Sequence, residues 1–340
     1  MTGQGSSLPV AVVGAGSWGT ALAMQLARAG REVRLWDRDV SRAAQMQSDR
    51  VNTRYLPDYP FPANVRVTSD LLSAVEGTSL VVSVVPSQVT RSIAEQYAAV
   101  MRSDQVLCCA SKGIEQGSLS TMDEVLKDVL APELHENICV LSGPSFAKEV
   151  AADLPTAVVV AGHKEGVADR VADALHGGNF RVYHTDDVIG AELGGSLKNV
   201  MAIACGMADG VGLGDNARAA LITRGLAEIT RLAVARGANP LTLMGLGGMG
   251  DLVLTCTGGL SRNRRVGLGL GQGKALDVIL KELGQVAEGV FTTRSARNLG
   301  RQLNVDMPIT DQMYRVLYEE VPALDALTAL MGRARKAERG

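Results

Sequence analysis

Three charged residues stand out in the sequence because each lies alone beside apolar or glycine residues. Lys112 follows the largely apolar run 105–110 with one residue, Ser111, between them. Lys198 is the one charged residue in the stretch 193–208, and Asp251 follows a glycine cluster. Burial lowers the pKa of a lysine from about 10.4, so a buried lysine can transfer protons near neutral pH. These residues predict an acid–base site in which Asp251 either holds Lys198 or caps the next helix.

Each lysine also has an interpretation that involves no chemistry. Lys112 could be an exposed loop residue. Lys198 could lie at a helix margin and extend its ammonium group into water. Gly194 and Gly195 lie three and four residues before Lys198, which puts bare backbone on the same helical face and leaves room there for a cofactor or another chain.

A short basic segment is a candidate phosphate site. Ser261 can cap a helix whose first turn carries Arg262 and Asn263. Free N–H groups at the start of a helix, together with a forked guanidinium, bind phosphate well. A basic surface turn is the alternative interpretation.

A glycine-rich turn near the N-terminus has the spacing of a dinucleotide-binding loop. Gly14, Gly16 and Gly19 form a G-x-G-x-x-G pattern between the apolar run 8–13 and a helical segment that begins near Ser17. In such loops the first glycine permits a tight turn, the second lets a pyrophosphate approach the backbone, and the third allows close packing of helix and strand. The alternative is a purely structural turn.

The end of the second predicted strand leaves the choice of dinucleotide open. An acidic residue there binds the ribose 2′-hydroxyl of NAD, whereas an arginine accommodates the 2′-phosphate of NADP. The sequence offers both, as Asp37 and then Arg38. Asp37 could equally be a solvated loop charge.

The first half of the chain alternates short apolar runs with helical stretches, a pattern typical of a parallel, doubly wound α/β sheet. The predicted strands are 8–13, 32–36, 80–85, 105–110, 138–141, 156–160 and 180–183. The predicted helices between them are 17–29, 69–76, 87–101, 120–130 and 164–176. Small or polar residues follow several of these strands, at the edge where such sheets bind ligands.

From about residue 188 onward the strand signals disappear. Apolar residues at helical spacing predict helices, and two glycine clusters are expected to separate them. The predicted helices are 189–204, 217–236, 276–283 and 310–318, and the glycine clusters are 245–250 and 267–273. We therefore predict a Rossmann-type domain over 8–189 and an all-α domain over 190–335.

Composition narrows the function classes. The chain has 340 residues, more than a single core of about 250–300 residues, so two domains are expected. Its 34 basic and 36 acidic residues give a net charge of −2, which argues against nucleic-acid binding. Five cysteines without C-x-x-C spacing and four scattered histidines predict reduced thiols and no metal site.

The uncharged run 8–27 is long enough to cross a bilayer. No lysine or arginine precedes it, as a signal peptide needs, and three glycines and a proline interrupt it. We therefore expect no membrane span.

Several motifs, taken in order, resemble those of the bacterial NAD(P)-dependent glycerol-3-phosphate dehydrogenases. The matching stretches are GAGSWGTALA, VPSQ, SKGIE, LSGPSFAKEV, SLKNVMAIACGMADGVGLGDNARAALITRGLAEI, GGMGDLVLTC, SRNR, VAEGVFTT and MPIT. The resemblance extends over residues 8–312. It is closer than the likeness to 6-phosphogluconate dehydrogenases or ketopantoate reductases.

The resemblance implies a Rossmann domain, an all-α domain like the C-terminal domain of 6-phosphogluconate dehydrogenase, and a site between them. It implies hydride transfer between NAD(P)H and dihydroxyacetone phosphate, giving sn-glycerol 3-phosphate for glycerophospholipid synthesis, with Lys198 as the catalytic lysine. The substrate-contacting positions are matched by Lys112, Gly143, Ser145, Lys198, Asp251, Ser261, Arg262 and Asn263. The cofactor-contacting positions, with the loop glycines, are Gly14, Gly16, Ser17, Trp18, Gly19, Arg38, Tyr55, Lys112, Ala147, Arg262, Val286 and Glu288.

We further expect a cytoplasmic protein and, as is usual for such enzymes, a homodimer. Two alternatives stay open. One is a related 3-hydroxyacid or ketopantoate-type dehydrogenase, which would prefer a carboxylate substrate. The other is a non-enzymatic dinucleotide sensor, which could dispense with Lys112 and Lys198, although this sequence keeps both.

Overall fold

The N-terminal half forms a sheet covered by helices and the C-terminal half is helical, as the sequence predicted. The computed structural model describes residues 8–334 and residue 337. The strands are β1 (Val10–Val13), β2 (Val33–Trp36), β3 (Val51–Asn52), β4 (Leu56–Pro60), β5 (Val65–Thr68), β6 (Leu80–Ser83), β7 (Val106–Cys109), β8 (Ile138–Ser142), β9 (Thr156–Gly162) and β10 (Phe180–Thr185). The α-helices are α1 (Ser17–Arg28), α2 (Val40–Asp49), α3 (Leu71–Val75), α4 (Thr90–Tyr97), α5 (Met122–Val129), α6 (Ala147–Ala151), α7 (Val167–Leu175), α8 (Val188–Val211), α9 (Gly214–Ala235), α10 (Asp251–Thr257), α11 (Arg262–Gly271), α12 (Leu276–Leu283), α13 (Glu288–Gln302), α14 (Pro308–Tyr318) and α15 (Ala323–Met331).

Eight strands form one sheet in the order β10-β9-β8-β7-β6-β1-β2-β5. β1 pairs in parallel with β2 on one side and with β6 on the other. The strand order therefore reverses at β1, and doubly wound sheets bind ligands outside the carboxyl ends of the strands at such a point. The loop after β1 lies at this position.

The sheet is not wholly parallel, which corrects the sequence-based prediction. β8 and β9 pair antiparallel, and β10 runs parallel to β9. The connection between β8 and β9 contains one α-helix, α6, whose five residues span about 7.5 Å. A parallel crossover has to return the chain along β8, whose five residues extend over about 17 Å. The helix is too short for that return, so β9 begins at the same edge of the sheet at which β8 ends.

The region between β2 and β6 contains elements that the sequence pattern did not predict. Helix α2 buries only Ala43 and Met46, so it lacks a wide apolar stripe. The β3–β4 hairpin is short, and β4 contains Pro57 and Pro60, which weaken a strand signal. β5 pairs with β2 at the edge of the sheet.

The glycine cluster 267–273 separates two helices only at its end, where Gly273 lies between α11 and α12, and its first five residues lie inside α11, contrary to the prediction. They allow α11 to pack directly on α8. A Cβ on Gly267 would lie 2.0 Å from the carbonyl oxygen of Ile203, and a Cβ on Gly206 would lie 2.0 Å from that of Arg264. In the other cluster, 245–250, residues Leu246–Gly250 form a π-helical turn that leads into α10.

Helix α8 forms the centre of the helical half and is almost wholly buried. Among the described residues it is the one helix long and apolar enough to cross a membrane, but 94% of its most apolar window is buried inside the protein. The run 8–27 forms β1, a loop and most of α1. Ile114, from the loop after β7, packs into the apolar core around α8 and joins the two halves.

Candidate functional site

The loop after β1 has the backbone that its glycine spacing predicts. Gly14 has a φ of +118°, and a Cβ there would lie 2.8 Å from the carbonyl oxygen of Val84. A Cβ on Gly19 would lie 1.8 Å from the carbonyl oxygen of Gly14, so only glycine lets α1 begin this close to the turn. A Cβ on Gly16 would meet nothing within 4 Å. Gly16 therefore leaves an open surface beside the first N–H groups of α1, where a pyrophosphate fits.

The start of α1 offers hydrogen-bond donors to an anion. The N-cap residue, Gly16, has no side chain, so the first N–H groups of the helix receive no side-chain cap. Ser17 and Trp18 open the helix, and the buried indole N–H of Trp18 has no hydrogen-bond partner. Asn52 braces the loop, because its Nδ2 donates to the carbonyl oxygen of Ala15 at 3.0 Å.

The carboxylate of Asp37 is buried and already has partners. Asp37 Oδ2 accepts from Nε of Arg42 at 2.7 Å, and Oδ1 accepts from Nη2 of Arg42 at 2.5 Å. The backbone N–H of Asp39 also donates to Oδ1, at 2.9 Å. Asp37 is therefore a partner of α2 and not a solvated loop charge. Its hydrogen bond raises the pKa of Arg42, and Arg38 beside it is exposed.

Lys112, Lys198 and Asp251 come together although they lie far apart in the chain. Nζ of Lys112 donates to Oδ2 of Asp251 at 2.7 Å, and Nζ of Lys198 donates to Oδ1 of the same carboxylate. Lys112 comes from the loop after β7, Lys198 from the middle of α8, and Asp251 from the first residue of α10. Asp251 thus holds both lysines and does not cap α10, whose N-cap residue is Gly250. This lysine–aspartate cluster joins the carboxyl edge of the sheet to the helical half.

Burial sets the proton affinities of the lysine–aspartate cluster. Lys198 is 8% exposed. Desolvation lowers its pKa, the charge of Asp251 raises it and that of Lys112 lowers it, and the resulting pKa is about 7. Burial alone would raise the pKa of Asp251, but the two lysines outweigh burial and hold that pKa below its usual value. The cluster therefore contains a fixed carboxylate and a lysine that can exchange a proton near neutral pH.

The loop after β8 contacts the same cluster. The carbonyl oxygen of Gly143 accepts from Nζ of Lys112 at 3.2 Å and from the hydroxyl of Ser145 at 3.0 Å. Gly143 has a φ of +118°, and a Cβ there would lie 3.0 Å from the Cα of Val158, so this turn requires glycine. Ala147 begins α6 in the same loop. Gly143 and Ser145 therefore lie close to Lys112.

Ser261, Arg262 and Asn263 form the start of α11, as predicted. The hydroxyl oxygen of Ser261 accepts a helix N–H at 3.2 Å. Arg262 is exposed, and desolvation lowers the pKa of its guanidinium. The amide of Asn263 donates to Oδ1 of Asn199 at 2.8 Å and accepts from the N–H of Gly289 at 3.0 Å. Of these three side chains, Arg262 is the one best suited to a phosphate.

The remaining predicted cofactor residues lie on two connections. Tyr55 lies between β3 and β4, with the guanidinium of Arg54 5.3 Å from its ring centroid. Val286 is exposed just before α13, and Glu288 is the first residue of that helix. The carboxylate of Glu288 accepts hydrogen bonds from Ser87, which follows β6.

Three polar residues in these contacts were not predicted as site residues. Asn199 binds Asn263, and Ser87 binds Glu288. The hydroxyl of Thr255 donates to the backbone carbonyl oxygen of Asp251 at 2.6 Å. Their sequence signals were available but weak. Asn199 is next to Lys198, Thr255 lies one helical turn after Asp251, and Ser87 follows the predicted strand 80–85.

Comparisons with known proteins identify a family. Residues 9–168 match the family model described as NAD-dependent glycerol-3-phosphate dehydrogenase N-terminus, and residues 187–328 match the model of the corresponding C-terminus. A relative in Anaeromyxobacter sp. (strain K), named glycerol-3-phosphate dehydrogenase (NAD(P)+), is 54% identical over 327 residues, which are 96% of this chain and 98% of the relative. A relative of the same name in Geobacter sp. (strain M21) is 52% identical over 329 residues, which are 97% of this chain and 98% of the relative.

Solved structures agree with the sequence comparison. The crystal structure of glycerol-3-phosphate dehydrogenase from Coxiella burnetii matches with a TM-score of 0.92 and 44% identity, over 96% of this chain and 99% of that one. A D-mandelate dehydrogenase with bound NADH matches with a TM-score of 0.63 and 13% identity, over 94% of this chain and 100% of that one. The second likeness concerns the fold alone.

Proposed function

Because this chain belongs to the NAD-dependent glycerol-3-phosphate dehydrogenase family, we propose that it interconverts dihydroxyacetone phosphate and sn-glycerol 3-phosphate with NAD(P)H. The observation that carries the proposal is the lysine–aspartate cluster of Lys112, Lys198 and Asp251. It lies where the carboxyl edge of the sheet meets α8. A buried lysine with a pKa of about 7 beside a dinucleotide-binding sheet suits the reduction of a ketone.

The dinucleotide supplies the hydride in reduction and accepts it in oxidation. Lys198 acts on the substrate oxygen. In reduction it donates a proton to the oxygen of the ketone carbon, and in oxidation it takes the proton from the hydroxyl group of glycerol 3-phosphate. Its positive charge also stabilises the negative charge that develops on that oxygen. Asp251 fixes the orientation of the Lys198 ammonium group.

The substrate residues surround the lysine–aspartate cluster and the start of α11. Arg262 binds the phosphate with the free N–H groups that follow the cap residue Ser261. Arg262 is exposed, so its guanidinium is accessible to a phosphate, which supports this role. The further substrate contacts that we propose are Lys112, Gly143, Ser145, Asp251 and Asn263.

The residues around the loop after β1 fit a bound dinucleotide. The open surface beside Gly16 would receive the pyrophosphate. Arg38 and Tyr55 lie at the end expected for the adenosine. The other cofactor contacts that we propose are Gly14, Ser17, Trp18, Gly19, Lys112, Ala147, Arg262, Val286 and Glu288.

We also propose a setting for this activity. All five cysteines are free thiols in the structure, which supports a reducing, cytoplasmic location.

Exposed apolar side chains between residues 241 and 260 support a homodimer, because a second copy would cover them. These side chains are Leu241, Met244, Met249, Val253 and Leu260. The product, sn-glycerol 3-phosphate, would serve glycerophospholipid synthesis, and the net charge of −2 gives no support for a nucleic-acid partner.

We propose the same two units that the sequence predicted, one over 8–189 and the other over 190–335. Residue 335 lies outside the described residues. Sheet residues extend to Thr185 and α8 begins at Val188, which supports a boundary close to residue 189.

The proposed activity is tested by following oxidation of NADH and of NADPH with dihydroxyacetone phosphate. We expect rapid turnover with dihydroxyacetone phosphate and little with ketopantoate, 3-oxo acids or unphosphorylated dihydroxyacetone. Preference for a carboxylate substrate would contradict the proposal in favour of a related dehydrogenase. Tight dinucleotide binding without turnover of any ketone would identify a sensor.

A further inference from the structure

Ser87 connects the sheet to the helical half through Glu288. Ser87 follows β6 and is fully buried, and Glu288 is the first residue of α13. The backbone N–H of Ser87 donates to Oε1 of Glu288 at 3.0 Å, and its hydroxyl donates to Oε2 at 2.5 Å. One residue of the sheet half therefore binds both carboxylate oxygens of a residue in the helical half.

Gln88 fixes the direction of the Ser87 hydroxyl. Nε2 of Gln88 donates to the hydroxyl oxygen of Ser87 at 3.2 Å and to the carbonyl oxygen of Ile114 at 2.9 Å. Oε1 of Gln88 accepts from the N–H of Gln116 at 2.9 Å, so both ends of the amide have assigned partners. Because the hydroxyl oxygen of Ser87 already accepts from Gln88, its hydrogen is left for Glu288.

The other end of this contact reaches the start of α11. Gly289, directly after Glu288, donates its N–H to Oδ1 of Asn263 at 3.0 Å. Burial raises the pKa of Glu288, and the hydrogen bonds from Ser87 and the charge of Arg262 oppose that rise. The contacts thus run from the end of β6, through the first residues of α13, to the segment in which we place the substrate phosphate.

We propose that Ser87 is a positioning residue for hydride transfer. By binding Glu288 it holds the sheet edge and the start of α11 at the separation at which hydride donor and acceptor react. This inference rests on the proposed function, which puts the dinucleotide at the sheet edge and the phosphate at Arg262. Ser87 itself touches neither reacting atom. A misplacement of about 1 Å can cost about 100-fold in rate, so loss of this contact affects the chemical step first.

The direct test is Ser87→Ala, assayed with dihydroxyacetone phosphate and NADPH. We expect kcat to fall by about 10- to 100-fold. The dissociation constant of NADPH should change less than kcat, because the loop after β1 is untouched and the backbone N–H of residue 87 still binds Glu288, a proposed cofactor contact. The primary deuterium isotope effect on kcat should rise, because hydride transfer then limits turnover. Ser92→Ala is the matched control, since the exposed Ser92 hydroxyl only donates to Val89 of its own segment.

Two further variants separate positioning from simple loss of a side chain. A Cβ on Gly113 would lie 2.4 Å from the hydroxyl oxygen of Ser87, so Gly113→Ala should displace that hydroxyl and reproduce the kinetic pattern. The double variant Ser87→Ala with Glu288→Gln should have a kcat no lower than the slower single variant, because both changes act on the same hydrogen bond, from the Ser87 hydroxyl to Oε2 of Glu288. If Ser87→Ala does not fold, Ser87→Cys replaces the strong donor with a weak one at similar volume.

The isotope effect and the kcat of the double variant decide whether Ser87 is a positioning residue. A wild-type kcat and isotope effect in Ser87→Ala, or additive losses in the double variant, would overturn the proposal. So would a loss confined to the KM and dissociation constant of NADPH, which would make Ser87 a cofactor contact. If the wild-type protein itself reduces no dihydroxyacetone phosphate, the proposed function fails. The contact is then tested by amide hydrogen exchange at Gly289 and Val290, which should quicken in Ser87→Ala, and unchanged exchange there would overturn it.

Discussion

The two halves of the candidate site are built in different ways. The dinucleotide loop is local, because the three glycines that shape it lie within residues 14–19. The lysine–aspartate cluster is assembled from distant parts of the chain, since Lys112 and Lys198 lie 139 and 53 residues from Asp251. The loop depends on the absence of side chains, whereas the cluster depends on the mutual compensation of three charges. Mutations in the loop should therefore act by steric conflict, and mutations in the cluster should act by changing its balance of charges.

The largest effect is expected for Lys198→Ala. Loss of a general acid–base typically costs about 10²- to 10⁴-fold in turnover. The dissociation constant of the dinucleotide should change little, because the loop after β1 is untouched. Steady-state kinetics and a fluorescence titration with NADPH measure the two quantities separately. Normal turnover in this variant would contradict the catalytic role of Lys198.

Asp251→Asn should disturb both chemistry and folding. The change removes the carboxylate that binds both lysines in a buried site, and breaking a buried ion pair in this way costs about 3–5 kcal/mol of unfolding free energy. Because the charge of Asp251 raises the pKa of Lys198, its removal should shift the pH dependence of turnover to lower pH. Urea unfolding and a pH–rate profile measure these effects.

The control for this variant is Asp277→Asn, because Asp277 is an exposed residue in the first turn of α12. It should leave turnover and its pH dependence as in the wild type. If Asp251→Asn also kept the wild-type pH dependence, the carboxylate would not control the proton affinity of Lys198.

Two glycine variants test whether an added side chain in the loop acts by steric conflict. Gly16→Ala adds a methyl group that meets no protein atom within 4 Å, so thermal stability should stay close to the wild type. The same methyl group would stand where the pyrophosphate approaches, and the dissociation constant of NADPH should rise by about tenfold or more. Gly19→Ala, in contrast, puts a Cβ 1.8 Å from a backbone oxygen and should lower the melting temperature. Equal effects of the two variants on stability would contradict this division.

The smallest effect is expected at the end of β2. Arg42 holds the Asp37 carboxylate with two hydrogen bonds. Arg42→Ala removes a cation near the expected ribose 2′ position and leaves the Asp37 carboxylate without its guanidinium partner. The ratio of kcat/KM for NADPH to that for NADH should therefore fall by about tenfold, the usual weight of one charged contact. Arg66→Ala, at an exposed residue of β5, is the control and should leave the ratio unchanged.

The comparison between loop and cluster also separates what the sequence could predict from what it could not. The loop after β1 follows from glycine spacing between a strand and a helix, and its backbone is as predicted. The isolated charges of Lys198 and Asp251 left open whether Asp251 binds Lys198 or caps a helix, and the second lysine on the same carboxylate depends on how the β7 loop packs against α10. Tertiary packing of this kind has no signal in local spacing.

The fold shows the same limit. Helices with a continuous apolar stripe, such as α8, were predicted from spacing alone. The direction of β9 was predicted wrongly, because a strand pattern does not encode whether its neighbour runs parallel. The glycines of α11 were misread as breakers, because their role is contact with a second helix. Arg42 was missed as the partner of Asp37 because α2 itself was not predicted.

The most direct measurement is the pH dependence of kcat in both reaction directions. Lys198 must be protonated to donate its proton in reduction and neutral to accept one in oxidation. With a pKa of about 7, reduction should fall as the pH rises through about 7, and oxidation should rise through the same range. We predict these opposite limbs in the wild type and their loss in Lys198→Ala. Limbs of the same sign in both directions, or opposite limbs that persist without Lys198, would contradict proton transfer by this lysine.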